Sequence, residues 1–209
     1  QRSSCCPTTP PLGRHAGARR VMMTTVTDTP RIAPLAPEER DARTDELVRS
    51  LRFDPEADDM NLFATIAHHP RLLKRWSAFG GMLLAGGALP ARDREVLILR
   101  TAANTEADYE WGHHLLLGRL AGLTDDEMAA LASFDAVELS AGDALLVRAA
   151  DELHADSIIG DDTWAGLAEL YDEQQLIEVC MVVGQYHLVG FTLNSLRIAR
   201  EAGVEGLPR

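Results

Sequence analysis

From Leu35 onward, apolar residues recur every three or four positions, the period of helices with one buried face. Leu72, Leu73, Trp76, Phe79 and Leu83 place one helix over residues 71–84, and Gly86 and Gly87 break it. Leu89 and Pro90 open a second helix through residue 103, with Val96, Leu97, Leu99 and Ala103 turned inward. A third spans 107–121 and stops at Gly122, a residue suited to a left-handed stop. Thr124 to Glu127 forms a capping box, with Leu123 and Met128 as its hydrophobic staple. Pro37 before Glu38 and Glu39 marks an earlier helix start. A short helix over 61–69 ends at Pro70. Later helices are predicted at 141–155, 162–171, 173–189 and 191–202, with Gly203 closing the last. Strand-like alternation is missing. The pattern predicts one all-α domain of roughly eight to ten helices over 35–209.

The pattern fails over residues 1–34, which read as a flexible or disordered extension. Between Gln1 and Arg20 the chain mixes Ser, Thr, Pro, Gly and Arg without a hydrophobic period. Met22 and Met23 make residues 1–21 read as sequence placed upstream of the natural start. Arg and Ser without acids also fit a transit peptide, whereas the apolar centre of a secretory signal is lacking.

Composition narrows the function. Acidic residues number 32 against 20 basic, a formal charge of −12, which opposes binding to nucleic acid or anionic lipid. Aromatic residues at 5% leave little for base stacking. No uninterrupted apolar run reaches bilayer length, so no membrane span is expected. The cysteines are Cys5, Cys6 and Cys180, and the adjacent pair cannot staple a core. A reduced, cytoplasmic protein is expected.

Glu110 and His114 stand four apart on one predicted helix and share a face. Glu95 lies on the preceding helix, in register with Ile98, Leu99 and Ala102. An antiparallel hairpin would bring two carboxylates to one imidazole, an arrangement that splits pKa values and moves protons. The plainer reading is a helix-surface pair worth about 0.2–0.5 kcal/mol. Tyr109 and His113 form a second pair on a more polar face. His187 continues the stripe of Leu176, Cys180 and Val183, pointing into the core or a pocket, and Cys180 reads as a small buried hydrophobe. Gly184 and Gly190 in the same helix suggest close helix packing or a ligand's approach. Glu110, His114 and His187 could offer metal ligands, but H-E-x-x-H is absent and ferritin-like sites combine a Glu-x-x-His spacing with further carboxylates on other helices, so no metal or cofactor is expected.

From about residue 61 to 196 the chain resembles the carboxymuconolactone decarboxylase family, which includes alkylhydroperoxidase D-type proteins. The resemblance is carried by Leu62, Phe63, His69, Pro70, Arg71 and Leu72, then by Leu89 to Glu95, and by Ala121 to Glu127. Gly184, Gln185, Tyr186 and His187 with Thr192, Leu193 and Asn194 resemble the end of a longer branch. The resemblance implies a single helical domain of the alkylhydroperoxidase D-like type and a homo-oligomer, trimer or hexamer. In the peroxidase branch a Glu, a Cys-x-x-Cys pair and a His carry the chemistry. Here they fall on Glu95, on Ala107 and Glu110, and on His114, so both thiols are missing.

The non-redox branch remains. It implies a cofactor-free lyase acting on a small carboxylate or lactone, with Glu95 and His114 delivering the proton and Glu110 setting the imidazole tautomer. Trp111 and nearby leucines would keep the site dry. An anionic substrate would need Arg94 or Arg100. His187 completes the candidate site. The competing readings are a non-catalytic ligand-binding member and an alkylhydroperoxidase-like antioxidant protein.

Overall fold

A computed structural model describes residues 29–53, 56–133 and 139–208. Most of the extension expected over 1–34 lies outside the described residues. Its end is fixed rather than loose: Arg31 N donates to Leu196 O at 2.9 Å and Leu35 N to Ala64 O at 3.0 Å.

The described residues form nine α-helices and no strand. They are α1 (Ala42–Ser50), α2 (Asn61–Ile66), α3 (Pro70–Ala85), α4 (Ala91–Asn104), α5 (Asp108–Leu120), α6 (Asp125–Ala132), α7 (Ala141–Asp156), α8 (Asp161–Ala168) and α9 (Glu173–Leu196). The expected all-α fold is what the structure shows.

α4 is the hub, packed against α5, α6, α7 and α9. Every residue from Glu95 to Ala103 is buried, which explains the unbroken apolar run Val96 to Leu99. The polar residues of α4 pair with the helices around it. Arg92 donates to Asp143 of α7 at 2.6 Å and to Glu127 of α6 at 2.5 Å. Arg100 grips both oxygens of Asp151 at 2.6 and 2.8 Å. Bidentate pairing of this kind fixes orientation as well as charge.

The local signals largely hold. Thr124 and Glu127 cap α6 reciprocally, and Gly122 takes the left-handed conformation with φ of 95°. Pro37 starts only a 3-10 turn, Pro37–Glu39; α1 begins afresh at Ala42, where Asp41 caps Thr44 N at 2.8 Å.

The end of the chain departs from expectation. Residues 173–196 form one helix, not two parted at Gly190. A Cβ at Gly190 would lie 2.7 Å from Thr105 Oγ1, so this glycine serves close packing and not a break. Gly184, in contrast, has nothing within 4 Å of its Cβ position. α9 ends at Arg197, in the left-handed region at φ 55°, before Gly203 is reached. By length and composition α9 could also cross a membrane, contrary to the count of apolar runs, but half of its most apolar stretch is buried inside the fold. Its apolar residues fill the core against α4.

Candidate active site

α4 and α5 form the predicted hairpin, and it brings Glu95 to His114. His114 Nδ1 lies 2.7 Å from Glu95 Oε2, and both side chains are buried. A carboxylate only accepts, so Nδ1 carries the proton, and in the neutral ring Nε2 presents its lone pair. Arg94 Nε donates to the other Glu95 oxygen at 3.3 Å and offsets part of its charge.

His114 Nε2 faces Glu110 Oε1 at 3.9 Å, too far for a hydrogen bond. Glu110 is fully inside the helix layer. Burial first, and the nearby Glu95 charge second, push its carboxyl well above the ordinary range. Burial therefore favours the neutral, proton-carrying form of Glu110. Its Oε2 has no hydrogen-bond partner among the described residues.

Tyr186 of α9 closes the group from above. Its ring meets the His114 ring edge-on, with centroids 5.0 Å apart and planes at 89°. Burial, with Glu110 and Glu95 beside it, raises its phenol well above the ordinary range. The hydroxyl stays protonated.

These side chains open on a cavity of about 280 Å³ between α3, α5 and α9, with the end of α1 at its edge. Leu62, Phe63, Trp76, Leu84 and Val189 make its apolar wall, and Glu110, His113, His114 and Gln185 bring polar groups to it. A larger open groove of about 1020 Å³ follows the C-terminal segment, but Glu95, Glu110 and His114 are not on it.

His113, read as the more polar neighbour, has a carboxylate of its own. Its Nε2 lies 2.6 Å from Glu201 Oε2. Glu201 also accepts from Tyr109 Oη at 2.7 Å and from Asn61 N at 2.6 Å. These partners hold the Glu201 carboxyl below its ordinary range despite burial. Two successive residues of α5 thus each present an imidazole braced by a carboxylate.

His187 is not in this group, contrary to expectation. Its Nδ1 donates to Val183 O at 2.8 Å and its Nε2 meets His154 Nδ1 at 2.9 Å, on the outer side of α9. Burial and the neighbouring His187 lower the His154 imidazole below its ordinary range. The inward stripe runs through Leu176, Val179, Val183, Tyr186 and Val189, and a step of one residue turns a helix by about 100°. The inward spacing of Val179, Val183 and Tyr186 was the signal that could have found Tyr186. Cys180 is exposed, not buried as read from its spacing. Arg94 is bound to Glu95 and Arg100 to Asp151, so neither lines the cavity. Trp111 is buried in the core and not on the cavity wall. Among the described residues, no three His, Cys, Asp or Glu side chains are grouped to hold a metal.

Residues 70–152, which contain the Glu95, Glu110 and His114 group, match the model of the Carboxymuconolactone decarboxylase family. No curated protein matches the chain. Among solved structures it is similar to an alkylhydroperoxidase AhpD core, an uncharacterized peroxidase-related protein from Ralstonia eutropha JMP134. The identity is 15%, the TM-score 0.74, and the match covers 83% of this chain and 93% of that one. A peroxidase-related protein from Silicibacter sp. TM1040 is 15% identical with a TM-score of 0.67, over 85% and 92% of the two chains. The debrominase Bmp8 in complex with 2,3,4-tribromopyrrole is 15% identical with a TM-score of 0.65, over 82% and 91%. At these identities the likeness shows a shared AhpD-like fold. Glu201 and Tyr186 lie outside the stretch that the family model matches.

Proposed function

We propose that this chain, similar over residues 70–152 to the carboxymuconolactone decarboxylase family, is a cofactor-free proton-transfer enzyme acting on a small lactone or carboxylate. The observation that carries the reading is a buried imidazole facing a buried carboxyl. His114 Nε2 lies 3.9 Å from Glu110 Oε1, and burial favours the protonated form of Glu110. A neutral imidazole and a protonated carboxyl held face to face can serve as base and acid.

The step balances without an added redox partner. His114 Nε2 takes a proton from a carbon beside the ligand carbonyl, and the electron pair of that C–H bond moves toward oxygen. Glu110 gives its proton to the carbonyl oxygen. The imidazolium is stabilised by Glu95, which accepts from Nδ1. Return of the proton from His114 to another carbon of the conjugated enol, with the enol O–H proton going back to Glu110, completes an isomerisation. In the family's namesake reaction the C–H cleavage is replaced by loss of CO2, and only the return step is needed. The apolar wall excludes water from the enol. The small ring bound by the similarly folded debrominase supports a ligand of that size.

A thiol peroxidase reading finds less support. Ala107 and Glu110 stand where its thiols would be, and the Cys180 thiol is raised by desolvation of its sulfur instead of activated.

α-Angelica lactone tests the reading. In D2O the wild type should speed deuterium entry at the ring carbons, and His114→Gln and Glu95→Gln should each lose about a hundredfold or more. Equal exchange by wild type and His114→Gln contradicts it.

A further inference from the structure

The cavity wall carries an imbalance that bears on what it binds. Each basic group on it already faces a carboxylate. His114 is held by Glu95 at 2.7 Å, His113 by Glu201 at 2.6 Å, and Arg52 by Asp59 at 2.7 Å. The two arginines that a substrate carboxylate would need are committed elsewhere, Arg94 to Glu95 and Arg100 to Asp151 and the Leu131 and Ser133 carbonyls. A buried anion without a cation is strongly disfavoured, and here the Glu95 charge lies just behind His114.

Two polar atoms on the same wall are buried and unpartnered among the described residues: Trp76 Nε1 and Glu110 Oε2. Buried polar groups in folded proteins nearly always have partners, so such a pair at one cavity points to a ligand. Trp76 can only donate. Glu110, in the protonated form that its burial favours, also donates. The missing partner therefore accepts, and does so at two places. The volume of about 280 Å³ is just under twice that of the roughly 150 Å³ apolar cavity that can take benzene.

We propose that this cavity takes an uncharged, ring-sized lactone, its acceptor oxygens facing Trp76 and Glu110, and that it turns away the corresponding carboxylate. The proposal rests on the cavity being the ligand site of the reading above. It has a consequence for that reading: loss of CO2 requires a carboxylate, so the reaction of this chain keeps the carbon skeleton and only moves a proton.

Phthalide and its ring-opened form, 2-(hydroxymethyl)benzoate, share one skeleton and differ in charge. Each is titrated at pH 7 into the full chain while the Trp76 indole N–H signal, assigned through Trp76→Phe, is followed by NMR. Phthalide should move that signal and bind at least about tenfold more tightly than the hydroxy acid. Equal or tighter binding of the hydroxy acid overturns the charge assignment. A Trp76 signal that responds to neither probe overturns the lactone assignment. Binding is read without turnover, so either failure leaves the deuterium-exchange test of His114 standing on its own.

Discussion

Glu201 Oε2 lies 2.6 Å from His113 Nε2 although 88 residues separate them. The contact ties the C-terminal segment to the wall of the cavity, because His113 lines it. Glu201→Gln should weaken the fold by about 1–2 kcal/mol at pH 7, a figure discounted for partial exposure. The Glu201 carboxyl is depressed in the folded state. Its contribution is therefore present above the unfolded value near 4.5 and lost as pH falls through the lower folded value. Thermal melts at stepped pH should show a shallower acid loss of stability in Glu201→Gln than in wild type.

Gly112 supplies a second handle on the same segment. A Cβ there would fall within 2.1 Å of the Glu205 carbonyl oxygen, a backbone atom that cannot swing aside. Gly112→Ala should favour the α5 helix itself yet lift residues 204–207 away. Hydrogen exchange should quicken in that segment and not in α4.

Glu110 has the opposite sign of linkage. Its carboxyl is raised in the folded state by burial and by Glu95. Folding must then hold a proton that the unfolded chain releases above about pH 4.5, so its cost grows as pH rises toward the folded value. Glu110→Gln removes that cost. The variant should gain melting temperature relative to wild type at pH 8, gain little at pH 4, and lose proton exchange.

Arg92 binds Asp143 and Glu127 and joins α4 to α6 and α7. Arg92→Met leaves the buried Asp143 without its cation. A loss of about 2–3 kcal/mol is expected, or a fall of roughly 5–10 °C in Tm, read by thermal denaturation.

The hairpin was legible because its signals are local. The apolar run of α4 sets which way Glu95 faces, and the four-residue spacing in α5 pairs Glu110 with His114. His187 misled because its stripe was drawn through Cys180, which is exposed, instead of Val179, which is buried. Gly190 suggested a break because sequence alone does not show Thr105 beside it. The Glu201 contact had no local signal at all, since it depends on how the chain returns after α9. As a check on these corrections, His187→Ala and Cys180→Ser should leave deuterium exchange into α-angelica lactone unchanged.

The central claim is that Glu110 keeps its proton at neutral pH while facing the lone pair of His114. Infrared difference spectroscopy of wild type against Glu110→Gln at pH 7 reads this directly. A protonated carboxyl band present in wild type and missing from the variant is the predicted result. A difference spectrum showing only a carboxylate band lost on substitution would mean that Glu110 is ionised, and would contradict the assignment of acid and base.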